Sequence, residues 1–194
     1  LNQLKAFAKR VSTHFQGTPC HILNTAGAAR AQAWLEGRPE LAFLRDTIRV
    51  GLGMYGLAPH ATTHGLTPAL ALTSVVSKLV DVPAGYGSGY GWTDAADHDR
   101  TLAVVSAGYA DGYPRSLGGG RAHVGWNGHL LPTVGRVCMD MMTVDTTGLE
   151  VHPGDAITLW GMAPTLEVCA KQAHTIPYEL LTRIGPRVQR VSER

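Results

Sequence analysis

Two short stretches carry most of the side chains able to do chemistry. Gly108-Tyr109-Ala110-Asp111-Gly112-Tyr113-Pro114-Arg115 follows an apolar run at 101–107, and Gly135-Arg136-Val137-Cys138-Met139-Asp140 follows one at 130–134. Each run reads as a strand rich in Val, Leu and Ala that breaks at a glycine. A strand end that presents a phenol and a carboxylate on a rigid base is a common platform for reactive groups. A phenol passes a proton only when its pKa falls from about 10, and Arg115 and Arg136 are nearby cations that could lower it. The same pattern also describes a hairpin corner with a packed tyrosine, and these residues alone leave both readings open.

The elements that must position these groups differ along the chain. Leu4, Phe7, Ala8 and Val11 space an amphipathic helix over 1–15, stopped by Gly17-Thr18-Pro19. A short strand at 20–23 and Asn24-Thr25 lead into an alanine-rich helix over 28–35, with Asn24 or Thr25 as its N-cap. The free N–H groups of that helix start, with the Thr25 hydroxyl, also suit a phosphate. A second short strand at 47–50 is followed by Gly51, Gly53 and Gly56, which let a backbone approach a ligand. This helix–strand rhythm is that of parallel α/β structure. The two units present cannot close a barrel, which needs eight, so residues 1–60 read as the last units of a (β/α)8 barrel.

Residues 57–67 lack periodicity and mark the junction to a second domain over 61–194. There the runs 71–82, 101–107, 122–126, 130–134, 141–144 and 156–160 are β-rich, and a β-barrel or sandwich of about eight strands is expected. Asn127-Gly128 is a hairpin signal, His152-Pro153-Gly154-Asp155 is a turn, and 165–173 and 176–184 are helical. The glycine-rich 83–91 stretch fits no dinucleotide register and reads as a flexible hairpin loop, and 94–100 as a solvated connection.

Composition narrows the function classes. A formal charge of +2 with 16% charged residues forms no block that implies nucleic acid or an anionic membrane. No apolar run approaches the roughly 18 residues of a transmembrane helix, and no signal-peptide pattern is present. Cys20, Cys138 and Cys169 are odd in number and far apart, which suits a reducing, cytoplasmic setting. The nine histidines are scattered, so no metal site is expected. The chain starts at Leu1 without a methionine, and a fragment is expected.

The two motifs resemble the C-terminal domain of alanine racemases, pyridoxal-phosphate enzymes built from a barrel and a mostly β domain. The likeness extends to Asp46-Thr47-Ile48-Arg49-Val50-Gly51-Leu52-Gly53-Met54-Tyr55-Gly56 and to Thr175-Ile176-Pro177-Tyr178-Glu179-Leu180-Leu181, and so covers nearly the whole chain. It implies that Tyr109 is the base acting on L-alanine, opposite a Schiff-base lysine of the barrel. Asn24, Thr25, Gly51 and Leu52 would hold the cofactor phosphate, and Arg49 would face the pyridine nitrogen. An arginine there donates a hydrogen bond and gives up no proton. The Met139 N–H would bind the substrate carboxylate, while Arg136 and Asp140 would line the access channel. A homodimer with shared active sites is implied.

Two departures stand out. The lysine motif of the barrel is missing, since Lys5, Lys9, Lys78 and Lys171 lack its context. The chain is therefore expected to need an N-terminal barrel half and to be inactive alone. Pro186 stands where some relatives carry a phosphate-contacting tyrosine. The motifs leave room for a racemase of serine or broader specificity. A barrel decarboxylase would use Cys138 as an acid, and a β-rich dimerisation module would do no chemistry. Cys138 also reads as a small buried hydrophobe.

Overall fold

The computed structural model describes residues 2–14, 21, 23–39, 47–57 and 65–192, and the chain divides into two units, Leu1–Leu70 and Ala71–Arg194. Cys20, Asp46 and residues 58–64 of the expected junction lie outside the described residues.

In the first unit the amphipathic spacing forms helix α1 (Asn2–His14). Strand β1 (Leu23–Asn24) runs straight into helix α2 (Thr25–Leu35), which starts three residues before the expected Ala28. The cause is a side-chain cap: Asn24 Oδ1 accepts the Gly27 N–H at 2.9 Å and satisfies a donor the helix cannot. Thr25 is therefore the first residue of the helix and not its cap. Strand β2 (Ile48–Arg49) pairs with β1 in parallel, with Leu23 opposite Ile48 and Asn24 opposite Arg49. A 3₁₀ turn (Leu52–Tyr55) follows, with Leu52 buried.

The second unit is a closed antiparallel barrel of six strands, not about eight. They are β3 (Leu72–Val82), β4 (Arg100–Val105), β5 (His123–Trp126), β6 (His129–Val134), β7 (Met142–Asp145) and β8 (Ala156–Trp160). Their spatial order is β3-β4-β7-β6-β5-β8. The lower count has a local reason: 83–99 and 106–122 are long enough for further strands but are held as turns and 3₁₀ segments. Strand β3 compensates by serving two neighbours. Leu72–Val75 pairs with β8 and Val76–Val82 with β4, with a register shift between Val76 and Lys78. Closure removes the free edges that an open sheet would expose.

The Asn-Gly signal folds as expected, because Asn127 at φ 44° and Gly128 at φ 81° supply the paired left-handed conformation of a tight hairpin between β5 and β6. The barrel core is filled by Val76, Leu102, Val105, Val124, Val144, Ile157 and Leu159, all at most 1% exposed. Tyr113 is fully buried and stacks on Trp160, with centroids 6.2 Å apart. Helix α3 (Leu166–Gln172), capped by Thr165, and helix α4 (Pro177–Thr182), opened by its proline, follow β8. The 94–100 connection is not fully solvated: Arg100 is 8% exposed, donates to the Asp94 carbonyl at 2.7 Å and faces the Asp94 carboxylate at 3.7 Å. Its charge is matched locally, which is what permits burial.

Candidate active site

The first unit gathers backbone donors at the C-terminal ends of its two parallel strands. Thr25 Oγ1 accepts the Gly51 N–H at 3.0 Å and the Gly53 N–H at 3.4 Å, so the two donors converge on one point. A Cβ added at Gly53 would press on Val50 Cγ1 at 2.9 Å, whereas one at Gly51 would meet nothing within 4 Å. Thr25 Oγ1 already holds both glycine N–H groups, so a phosphate would have to displace the hydroxyl from them; with that exchange, and with the open approach at Gly51, these residues fit an oxyanion. Arg49 is exposed on β2, where the strand register sets it opposite Asn24.

In the second unit the two reactive motifs are stitched together through their backbones. Tyr109 N–H donates to the Cys138 carbonyl and Ala110 N–H to the Met139 carbonyl, both at 3.0 Å. Gly108 lies so close to the second motif that a Cβ there would stand 2.3 Å from both the Cys138 and Met139 carbonyl oxygens. Asp111 steadies the turn by accepting the Gly108 N–H at 2.9 Å. The Tyr109 side chain is left 43% exposed, and its hydroxyl has no hydrogen bond among the described residues. The Met139 N–H likewise has no acceptor among the described residues, and Arg136 and Asp140 are exposed beside it.

Two features of this surface were not legible as motifs. Arg187 pairs with Asp111 at 3.0 Å and with Asp140 at 2.8 Å, tying the segment after α4 to both motifs. No local pattern marks it, because its partners are far away in sequence. The glycine-rich 83–91 loop, expected only as a flexible hairpin, is seated on the second motif. A Cβ at Gly135 would meet the Ser88 carbonyl oxygen at 2.6 Å, and one at Gly91 would meet the Arg136 guanidinium at 3.4 Å. This loop carries two further exposed phenols, Tyr86 and Tyr90, and the Tyr86 ring leans on Trp92 with centroids 5.8 Å apart.

The two described cysteines differ. Cys138 is half-buried, with Sγ 3.6 Å from the Arg136 carbonyl oxygen, rather than a fully buried hydrophobe. Cys169 is buried, and loss of solvent pushes its thiol up to about 12. Iodoacetamide at pH 8 should therefore modify Cys138 in the folded chain and leave Cys169 intact, as peptide mapping by mass spectrometry would read. Equal rates would contradict the burial. The sign of the pH effect follows: an unfolded thiol releases its proton near 9, below the folded value, so Cys169 lowers stability as pH climbs from 9 toward 12.

Together these features describe an α/β unit whose Thr25 hydroxyl gathers the Gly51 and Gly53 N–H groups, followed in sequence by a closed β-barrel that presents phenols, arginines and a free backbone donor at paired loops. The sequence profile described as alanine racemase, C-terminal domain, matches residues 69–192. Alanine racemase 3 of Salmonella typhi is 38% identical over 172 residues, covering 89% of this chain and 44% of the relative. Alanine racemase of Deinococcus deserti is 44% identical over 147 residues, covering 74% of the chain and 42% of the relative. The crystal structure of alanine racemase from Bartonella henselae with covalently bound pyridoxal phosphate superposes with a TM-score of 0.82 at 34% identity, covering 98% of this chain and 51% of that one. The chain belongs to the alanine racemase family. It spans less than half the length of these curated relatives.

Proposed function

We propose that the chain supplies one side of a pyridoxal-phosphate-dependent racemase site that interconverts L- and D-alanine. The observation that carries this reading is the stitching of Tyr109 to Met139, which joins an exposed phenol to an unpaired N–H at one pair of loops. When bound, pyridoxal phosphate withdraws electrons from the substrate Cα and so acidifies its proton. The Leu52 N–H, the Thr25 hydroxyl, the Asn24 amide and the Gly51 N–H, released from Thr25 Oγ1, would hold its phosphate. Arg49 would donate a hydrogen bond to the ring nitrogen and leave it unprotonated, because a guanidinium does not release its proton. The Met139 N–H binds the alanine carboxylate, and Arg136 and Asp140 flank the route in.

Inversion at Cα needs a proton removed on one face and delivered on the other. Tyr109 is assigned the face used with L-alanine, and a lysine of the barrel half serves the opposite one. Tyr86 is the second reading for the phenol, favoured by the seating of its loop against Gly135 and Arg136. The phenol reaches the site of a partner copy, which makes the working enzyme a homodimer with shared sites. No helix among the described residues is long and apolar enough to cross a membrane, and the reading places the enzyme in the cytoplasm.

The test is to assemble the chain with a matching barrel half and pyridoxal phosphate, then follow L- and D-alanine by chiral chromatography. Interconversion is the expected result. Release of carbon dioxide dependent on Cys138 would replace the racemase with a decarboxylase. A folded, cofactor-loaded assembly inert toward every amino acid would leave only a dimerisation module.

A further inference from the structure

The segment after α4 is folded back onto the Tyr109 turn. Arg190 Nη2 donates to the Ile184 carbonyl at 3.1 Å, and the Val188 N–H donates to the Gly185 carbonyl at 3.3 Å. Gly112, at φ 99°, lies against the same segment, where a Cβ would meet the Arg183 carbonyl oxygen at 2.8 Å. Arg187 is thereby delivered to a fixed place. Its Nε faces Asp111 Oδ1 at 3.0 Å, and its Nη2 donates to Asp140 Oδ1 at 2.8 Å. One planar guanidinium thus spans both reactive motifs, and its rigid geometry fixes the spacing of the two carboxylates.

Each carboxylate stands beside a group assigned to the reaction. Asp111 follows Tyr109 by two residues, has a side chain only 16% exposed, and spends its other oxygen on the Gly108 N–H at 2.9 Å. Asp140 directly follows Met139, whose N–H has no acceptor among the described residues. Without Arg187 two like charges would flank a donor assigned to the carboxylate of an amino acid, and would repel that carboxylate. The guanidinium removes half of this charge at every working pH, because it does not release its proton. Half-exposed ion pairs add little to global stability. The effect of this bridge therefore falls on local placement and charge.

We propose that Arg187 is a positioning residue that holds the Tyr109 turn against the Met139 loop through Asp111 and Asp140, and that cancels enough of their charge for a substrate carboxylate to reach the Met139 N–H. The charge role rests on the racemase reading, and the placement role does not. Placement is measured on the full chain without cofactor, by amide hydrogen exchange followed by NMR. In Arg187→Gln, exchange at Tyr109 and Ala110 is expected to quicken about tenfold or more, with the amides of β4 and β7 unchanged. Unchanged exchange at Tyr109 and Ala110 in the folded variant would overturn the proposal, whatever the assembled enzyme does.

Charge is measured on the enzyme assembled with a matching barrel half and pyridoxal phosphate. Arg187→Gln should raise the KM for alanine about tenfold at low ionic strength and by less at about 0.5 M salt, where screening shortens the reach of the carboxylates. Adding Asp140→Asn to Arg187→Gln should recover most of that loss, and Arg187→Lys should avoid part of it. A KM left unmoved would overturn the proposal, as would one raised equally at both salt concentrations and not recovered by Asp140→Asn, since a purely structural tie behaves so. A folded, cofactor-loaded wild-type assembly that does not interconvert alanine would fail the racemase reading and the charge role with it. That failure is distinguishable, because exchange at Tyr109 and Ala110 would still respond to Arg187.

Discussion

Tyr109→Phe is expected to lower kcat for alanine racemisation by the assembled enzyme by about 10²–10⁴-fold, the usual worth of a positioned proton-transfer group. The KM for alanine should change little, because the ring stays and only the hydroxyl is lost. The parallel variant Tyr86→Phe should cost less than about tenfold, since the ring that packs on Trp92 is retained. A second readout isolates the chemistry from any loosening of the loop. Loss of a phenol serving one face should stop exchange of the Cα proton of L-alanine with solvent, while exchange from D-alanine continues through the lysine. If Tyr86→Phe shows the large loss and the one-sided exchange, the base belongs to the glycine-rich loop and Tyr109 becomes a wall of the site. If neither variant shows them, the exposed Tyr90 of the same loop is the remaining phenol to test.

Gly108→Ala should destabilise the second unit by about 2–4 kcal/mol, the cost of overpacking plus strained backbone hydrogen bonds. The added methyl would sit 2.3 Å from two carbonyl oxygens that belong to backbone and have no rotamer to escape into. Relief requires the Tyr109 turn to move off the Cys138–Met139 loop between β6 and β7, which breaks the two 3.0 Å bonds between them. Activity should therefore fall with stability, because phenol and carboxylate donor lose their mutual placement. Denaturant melts would read the first effect. Gly185→Ala is the matched control: a Cβ there meets nothing within 4 Å, and its stability should stay within about 0.5 kcal/mol.

Local chemistry was readable where one short segment decides its own shape. Asn127-Gly128 dictates a tight hairpin, Thr165 and Pro177 open helices, and the apolar runs of β3 and β8 match their strands. The two reactive motifs could be picked out because glycines end their strands. Their contact could not be derived from composition, because it rests on backbone bonds between residues far apart in the chain. The same holds for the Asp94–Arg100 pair, which turns a charged and apparently solvated run into a buried one. Arg187 was missed for this reason as well. The expected count of about eight exceeded the six apolar runs named, and the barrel closes with six because β3 pairs with both β4 and β8.

That shared strand has a bearing on how the barrel comes into being. Leu72 pairs with Trp160, so the first strand of the unit is completed only by the last. During synthesis β3, β4 and the hairpin of β5 and β6 emerge while Leu72–Val75 of β3 still lacks its neighbour. Closure must draw together the two ends of the strand sequence, a loop whose entropy is lost before any pairing rewards it. The barrel thus has no stable partial version, and a chain halted or clipped ahead of residue 156 should present an open sheet to its surroundings. An unpaired Leu72–Val75 edge of that kind is a template for joining the wrong strand.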